Sequence, residues 1–391
     1  MLKFPKLFFQ SGEDTHSFEN RIRPSAEKRR HLRACVAKIK DHLKPRISQA
    51  TKTVLGMDRA VVPRFRTQGS WAYDTCVEPA ATPPQEMDWD YGIYLPVTVW
   101  EENGPPHAMA KAYFYLVESL LQDLCGQEGW EIRPGKETCI RVQVAQWAHI
   151  DIPLYAAPEK EFEKITESVA LAKAHVYDSH TYSAESISFR EAIDAQQQWV
   201  DLDCIVMATR TGEWKSSDPQ TVANWFRDRV EEHGVQLRRI CRYLKAWRDH
   251  HWQHGGPTSV SIMIATAQAF QPRLGRDDRV LEDIARRLSQ IFLHDIREPG
   301  IDNGTEDFNR LQNLEREKVA QQFGQLASQI SQARQAGAHE KEEVILKLRQ
   351  QFGGRLPMDS TLVEFDNEPD TIRSTPATRV APPVISSTKA G

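Results

Sequence analysis

Two aspartates in this chain are separated by one residue within an otherwise apolar run. Asp88 and Asp90 alternate with apolar residues over positions 87–91. Side chains alternate between the two faces of a β-strand, so a strand here places both carboxylates on one face. Asp151 is the single acid of a second alternating run at 150–154. If the two strands are neighbours, three carboxylates converge.

Three convergent carboxylates repel one another and raise each other's pKa values, so we expect them around a divalent cation. Mg²⁺ is the first candidate because it binds a few carboxylates and completes its shell with water and phosphate oxygens, and Mn²⁺ is the alternative. A pair of aspartates in a strand is more often a solvent-facing polar stripe. For the motif alone, that alternative stays open.

A Gly-Ser turn lies upstream of the two aspartates. Gln68, Gly69 and Ser70 follow a short basic and apolar run at 62–66. Such a turn presents backbone N–H groups and a hydroxyl to phosphate oxygens. The turn, the paired aspartates and Asp151 together predict a metal-dependent nucleotidyltransferase.

The elements around these motifs predict a mixed α/β first half. Apolar residues recur at three- and four-residue spacing after Ser25, which predicts a long helix that ends near Pro45. We expect strands through about Leu95, a helix from Ala108 to Leu124, and further strands between Trp130 and Leu154. The sheet would carry the carboxylates, and the long helix would pack behind it.

The second half is predicted to be helical. A helix start at 217–219 combines capping side chains with proline in the first turn. One apolar face follows at 237–247, and it is flanked by Arg238, Arg239, Arg242, Lys245 and Arg248. The ordinary interpretation of such cations is a solvated face.

Later segments continue the helical pattern. A helix is predicted from Thr258 or Ser259 through Phe270, and a long helical segment from Glu306 to Phe352. The composition after Asp366 predicts a disordered tail. The expected domains are therefore a core with its long helix at 1–210, a helical domain at 211–365 that closes the nucleotide cleft, and a tail at 366–391.

Composition narrows the class of protein. The 391 residues are 40% hydrophobic and 27% charged, with a net charge of −4, which is typical of a soluble globular protein. No overall basic field favours long nucleic acid as a partner. The absence of a signal-like or membrane-spanning segment predicts a cytoplasmic protein, and six cysteines without C-x-x-C spacing predict neither a disulfide framework nor a zinc ribbon.

Colinear motifs resemble those of the cGAS/DncV-like nucleotidyltransferases over most of the chain. They lie at 63–70, 73–75, 85–88, 149–153, 217–219, 245–249 and 255–259. The resemblance implies a polymerase-β-like α/β (α+β) nucleotidyltransferase core with a mixed sheet, plus an α-helical second domain. It implies a cyclic dinucleotide synthase that makes 3′,3′-cyclic GMP-AMP from ATP and GTP in anti-phage (CBASS) defence.

The resemblance also implies residue roles. Asp88, Asp90 and Asp151 would hold two Mg²⁺ ions, one activating a ribose hydroxyl and the other neutralising pyrophosphate. Asp151 would receive or relay the hydroxyl proton. The implied nucleotide-binding residues are Gln68, Gly69, Ser70, Tyr73, Arg141, Lys245 and Ser259. For Arg141, a surface strand arginine is an equally good interpretation.

The implied partners include a fusion enzyme of ubiquitin-activating and conjugating type that acts on Gly391, and an effector that responds to the cyclic nucleotide. An ordinary frayed terminus is the alternative at Gly391. Three other functions stay open, namely a different cyclic di- or trinucleotide product, nucleotidyl transfer to RNA or protein, and a catalytically silent module.

Overall fold

The computed structural model describes residues 1–12, 16–57, 59–97, 107–158, 205–217 and 219–365. The predicted tail at 366–391, with Gly391, lies outside the described residues. So do Asp218, in the predicted helix start, and Cys204. The other five cysteines are free thiols.

A 28-residue helix supports the sheet from behind. The N-terminal elements are β1 (Leu2–Lys3), α1 (Pro5–Phe8), α2 (Phe18–Ile22) and α3 (Ala26–Thr53). Ser25 caps α3 by accepting a hydrogen bond from the Lys28 backbone N–H, as expected for a serine at this position. The predicted end near Pro45 is wrong, because the buried stripe continues through Ile47 and Thr51. That burial outweighs the helical hydrogen bond that proline removes.

Eight of the described strands, β2 to β9, form one mixed sheet. Its elements are β2 (Arg64–Thr67), α4 (Gly69–Ala72), β3 (Met87–Val97), α5 (His107–Glu128), β4 (Glu131–Arg133), β5 (Ile140–Ala145), β6 (Ala148–Ile152), β7 (Leu154–Pro158), β8 (Val206–Ala208) and β9 (Trp214–Ser216). Within the described residues, the eight-stranded order is β4-β5-β6-β3-β7-β8-β9, with β2 paired to β3. Strand β3 runs parallel to both β6 and β7 and keeps the same register on either side of Pro153.

The alternation in β3 determines which face of the sheet is buried. Trp89, Tyr91 and Ile93 lie in a core that α3 and α5 complete. The indole rings of Trp89 and Trp71 stack 4.2 Å apart, an arrangement that contributes about 0.5–1.5 kcal/mol beyond area burial. The predicted division between an apolar and a carboxylate face is confirmed.

The second half is helical, as predicted. It contains α6 (Pro219–His233), α7 (Val235–His251), α8 (Ser259–Ala269), α9 (Asp277–Ile291), α10 (Pro299–Asp302), α11 (Asn313–Gln335), α12 (Lys341–Phe352) and β10 (Glu364–Phe365), with short 3₁₀ turns at Ala338–Glu340, Gly353–Arg355 and Ser360–Leu362. The segment predicted as one run from Glu306 to Phe352 is two helices. The chain becomes extended at Ala336 and Gly337, so α12 turns back and Phe352 reaches the N-terminal phenylalanines.

The cations of α7 correct a second prediction. Arg242 and Lys245 are each 4% exposed, so neither lies on a solvated face. Arg242 pairs with Glu19 of α2, and Arg239 pairs with Asp277 at an N–O distance of 2.9 Å. These acids lie far from α7 in sequence, so helical periodicity does not reveal the pairing.

The first residues of the chain pack with the last helices. Leu2, Phe4, Phe8 and Phe18 belong to the helical core rather than to the core beneath the sheet. Strand β1 pairs antiparallel with β10. This grouping differs from the predicted 1–210 unit. No helix among the described residues has both the length and the apolarity to cross a membrane.

Candidate active site

Strand register places the predicted carboxylates side by side. Asp90 lies opposite Asp151 across the parallel pair β3–β6, and Asp151 lies opposite Arg141 across β5–β6. Asp88 lies opposite His149 in the same way. Paired residues on neighbouring strands share a face. Three acids and two basic side chains therefore occupy one patch of the sheet.

Arg141 holds Asp151 through two hydrogen bonds. Nε donates to Oδ1 at 2.7 Å and Nη2 donates to Oδ2 at 2.6 Å, a bidentate geometry that is strong and directional. Burial alone would raise the pKa of Asp151, but the hydrogen bonds and charge of Arg141 outweigh burial and hold that pKa below its usual value. While this ion pair persists, Asp151 is a weak proton acceptor.

Asp90 has the opposite environment. Burial, followed by the charges of Asp88 and Asp151, raises the pKa of its carboxyl to about 8. A group with that pKa carries a proton through much of the neutral range. A nearby cation would restore its charge, so this carboxyl fits a cation site.

His149 is buried among the acids. It is 6% exposed, and its Nδ1 lies 2.8 Å from Glu86 Oε2. Its Nε2 lies 3.2 Å from Asp88 Oδ1, yet the two atoms are not aligned for a hydrogen bond and neither has another partner. Burial lowers the pKa of His149, but Asp88 outweighs burial and the net shift is upward.

The Gly-Ser turn approaches the carboxylates closely. Gly69 has φ of +60°, and a Cβ on it would overlap Asp90 Oδ2. The amide of Gln68 is held by two tyrosines, since Nε2 donates to Tyr94 Oη at 2.6 Å and Tyr155 Oη donates to Oε1 at 3.2 Å. The Gln68 side chain therefore anchors the turn.

One cleft of about 710 Å³ collects most of the predicted site residues. This volume is typical of small-molecule sites. Its lining includes Gln68, Gly69, Ser70, Tyr73, Asp88, Asp90, Asp151, Lys245 and Ser259. The predicted residues from both halves of the chain thus meet in one cleft.

Besides Gln68, the predicted nucleotide-binding residues Arg141, Lys245 and Ser259 have protein partners. Arg141 is paired with Asp151, as described above. Lys245 donates from Nζ to the carbonyl oxygen of Thr75 at 2.7 Å, and burial lowers its pKa to about 8. Ser259 accepts a hydrogen bond from Arg248 at 3.1 Å.

Other residues of the cleft were not predicted from sequence. Lys136, Arg248 and Asp249 line it, and Glu86 and His149 lie at the carboxylates. Only His149 had a usable signal, because it stands two residues before Asp151 and so shares its strand face. The other residues are brought to the cleft by tertiary packing.

Family models match both halves of the chain. A model described as "Cyclic GMP-AMP synthase DncV-like, nucleotidyltransferase domain" matches residues 63–155, which contain the turn and all three aspartates. A second, "Cyclic GMP-AMP synthase, C-terminal domain", matches residues 234–365. The chain belongs to the DncV-like nucleotidyltransferase family. The predicted family and the enzyme class are confirmed.

Relatives agree with the family. The chain is 31% identical over 351 residues to a cyclic GMP-AMP synthase of Vibrio cholerae, covering 84% of this chain and 75% of the relative. It is 32% identical over 308 residues to one from Escherichia coli, covering 75% and 68%.

A crystal structure of Vibrio cholerae DncV, solved in complex with the linear intermediate 5′ pppA(3′,5′)pG, superposes with a TM-score of 0.74. It is 24% identical and covers 94% of this chain and 99% of that one. This likeness confirms the fold predicted for the DncV-like family.

Proposed function

We propose that this protein synthesises a cyclic dinucleotide, 3′,3′-cyclic GMP-AMP, from ATP and GTP. The observation that carries the proposal is the convergence of Asp88, Asp90 and Asp151 beside the Gly69-Ser70 turn in one cleft. The relatives named cyclic GMP-AMP synthase support the choice of product. The linear intermediate bound to Vibrio cholerae DncV supports synthesis in two steps.

The carboxylate patch fits divalent cations. Asp88 Oδ1 and His149 Nε2 are buried without hydrogen-bond partners, and the pKa of Asp90 is raised by burial and then by its acidic neighbours. Oxygen-rich donors of this kind suit Mg²⁺ or Mn²⁺. We propose two Mg²⁺ ions held by Asp88, Asp90 and Asp151. When bound, they would lower the pKa of an attacking ribose hydroxyl and offset charge on pyrophosphate.

The remaining side chains position the nucleotides. The turn at Gly69 and Ser70 lies directly beside Asp90, so phosphates cradled there would be next to the carboxylates. Lys245 and Arg248 of α7 add positive charge to the lining of the cleft. Tyr73 lines the same cleft and offers an aromatic surface to a base or ribose. These side chains would contribute to nucleotidyl transfer mainly by orienting the two nucleotides and by neutralising phosphate charge.

The test is product analysis with matched aspartate variants. Purified protein is incubated with Mg²⁺ and all four ribonucleoside triphosphates, and phosphatase-resistant products are identified by liquid chromatography and mass spectrometry. We expect cyclic GMP-AMP as the product. Its formation should be slowed more than about 100-fold in Asp88→Asn and Asp90→Asn, because losing a direct metal ligand costs more than losing an outer-shell partner. Asp123→Asn, an exposed acid on α5, serves as control.

If the product is a different cyclic di- or trinucleotide, the proposed mechanism stands and the proposed substrates are wrong. Label transferred to RNA or protein would reject cyclisation. Absence of turnover in the wild type would reject the enzymatic proposal.

The proposal extends to anti-phage defence, an effector that responds to the product, and conjugation through Gly391. It rests on the family resemblance. Intact-mass analysis after incubation with a ubiquitin-activating and conjugating type enzyme would test conjugation, with a chain lacking Gly391 as control. An adduct that persists without Gly391 would contradict it.

A further inference from the structure

We propose that His149 supplies a nitrogen ligand to a divalent cation held by Asp88 and Asp151. The ligand would make one metal position of the proposed centre a mixed nitrogen and oxygen site. That this cation belongs to a two-ion catalytic centre rests on the proposed function. That the three side chains bind a cation is argued from their geometry alone.

The first argument is the unpartnered imidazole nitrogen. His149 is 94% buried, and its Nε2 has no hydrogen-bond partner. A buried polar atom without a partner costs about 1–3 kcal/mol, so such an atom calls for a function. Nε2 lies 3.2 Å from Asp88 Oδ1 and 4.0 Å from Asp151 Oδ1. Ligand atoms of the three residues all lie within 4.8 Å of one another.

The second argument is the partner of the other ring nitrogen. Nδ1 lies 2.8 Å from Glu86 Oε2, and Glu86 Oε1 lies 2.9 Å from Arg133 Nη1. A carboxylate paired with arginine accepts hydrogen bonds, so Nδ1 carries the hydrogen. In the neutral ring, the lone pair then lies on Nε2. Histidines that ligate metals commonly have this arrangement, in which a carboxylate fixes the tautomer and the ring plane.

The third argument concerns charge. Arg141 brings one positive charge to the carboxylate patch through its bond to Asp151, and His149 Nε2 lies 3.2 Å from Asp88. A divalent ion among Asp88, Asp151 and Nε2 would supply positive charge at the same point and displace any proton from Nε2. Arg141 can keep its bonds, because each carboxylate oxygen has two lone pairs.

A nitrogen donor changes the preferred ion. Mg²⁺ strongly prefers oxygen ligands and octahedral geometry, whereas imidazole is better tolerated by Mn²⁺ and later first-row metals. This position is therefore expected to bind Mn²⁺ more tightly than Mg²⁺. Replacing His149 with asparagine should reduce the ratio of Mn²⁺ affinity to Mg²⁺ affinity about tenfold.

The experiment uses Mn²⁺ alone as the probe. Electron spin-echo envelope modulation is recorded on full-length protein with substoichiometric Mn²⁺, prepared with natural-abundance histidine and with ¹⁵N-histidine. We expect a directly bonded ¹⁴N coupling that changes to ¹⁵N on labelling and disappears in His149→Asn. His294→Asn, an exposed histidine beyond α9, should retain it. Bound Mn²⁺ without a nitrogen coupling in the wild type overturns the proposal, and so does a coupling that survives in His149→Asn.

A second variant covers the case in which His149→Asn does not fold, as judged by thermal unfolding. Glu86→Gln keeps the imidazole but weakens its orientation, and we expect the coupling to persist while Mn²⁺ affinity falls about 10- to 100-fold. Unchanged affinity in Glu86→Gln contradicts the proposal. A nitrogen coupling in a protein that makes no cyclic nucleotide would support the ligand and reject only the proposed function.

Discussion

At the scale of single residues, the cleft carries cations whose protonation depends on burial. Arg141 is permanently charged and already paired, so it stays charged over the whole working range. Lys245 differs, because burial lowers its pKa to about 8. Its charge is therefore lost as the pH rises through about 8, although the cleft is proposed to bind polyphosphate.

The Lys245 environment predicts proton uptake on nucleotide binding. Above pH 8 the free protein holds Lys245 mostly neutral, and a bound triphosphate favours the ammonium form and raises its pKa. ATP affinity should therefore fall as pH rises through 8. Isothermal titration calorimetry of ATP binding at pH 8.5, in two buffers of different ionisation enthalpy, measures the protons taken up. The wild type should take up more protons than Lys245→Met.

The same titration at pH 6.5 is the control, because Lys245 is then charged before binding. The difference between wild type and Lys245→Met should vanish there. Equal proton uptake by both proteins at pH 8.5 would show that Lys245 does not meet the phosphates.

The predicted catalytic aspartates were accessible from sequence because one strand carries two of them. Period-two alternation places Asp88 and Asp90 on one face regardless of the rest of the fold. The role of Arg141 toward Asp151 was not accessible, because strand order and register decide which side chain lies opposite an acid. The same reason applies to the contact between Glu86 and His149, although alternation alone places His149 on the face of Asp151.

At the scale of elements, the α4 turn and β3 constrain each other. Gly69 combines φ of +60° with a position where a Cβ would overlap Asp90. We expect Gly69→Ala to lower the free energy of unfolding by about 1–3 kcal/mol. Turnover should also fall about 100-fold, because Asp90 would be displaced. Chemical denaturation and product assays measure the two effects.

Gly129→Ala is the matched control for backbone strain. Gly129 also has positive φ, +70°, but a Cβ there meets nothing within 4 Å. Gly129→Ala should lower the free energy of unfolding, because alanine is strained at positive φ, and should leave turnover unchanged. Similar turnover in Gly69→Ala and wild type would contradict the proposed contact between turn and carboxylate.

Helix boundaries show where local sequence was insufficient. Pro45 is a strong local stop signal, yet α3 continues for another two turns because Ile47 and Thr51 are buried. The break between α11 and α12 has a weaker local signal at Gly337. In both cases tertiary packing determines where the helix ends.

At the scale of the whole molecule, the buried Arg242 joins α7 both to the N-terminal helix α2 and to the catalytic core. Arg242 of α7 reaches Glu19 of α2 and the carbonyl oxygen of Asp74, which follows the α4 turn. Removing Glu19 leaves the buried Arg242 guanidinium with Asp74 as an acidic partner, at an N–O distance of 3.4 Å. We expect Glu19→Leu to lower the free energy of unfolding by about 3 kcal/mol, at the low end of the range for a broken buried pair.

A double-mutant cycle tests this coupling. Glu19→Leu with Arg242→Met removes both charges, and we expect it to recover much of the stability lost in Glu19→Leu. Glu27→Gln, an exposed acid on α3, should change stability by less than about 0.5 kcal/mol. Additive losses in the cycle would contradict a buried ion pair. Urea denaturation monitored by tryptophan fluorescence measures the wild type, Glu19→Leu, Arg242→Met, the double variant and Glu27→Gln.

The packing of α1 and α2 against α12 affects the order of events during synthesis. Phe8 and Phe18 contact Phe352, with ring centroids 5.4 Å and 5.1 Å apart. A ribosome makes about 5–20 residues per second, so these phenylalanines emerge many seconds before their partner. The catalytic sheet, which is complete much earlier, can form while the N-terminal aromatic residues are still exposed. Nascent chains stalled before Phe352 should therefore recruit chaperones at the N-terminus.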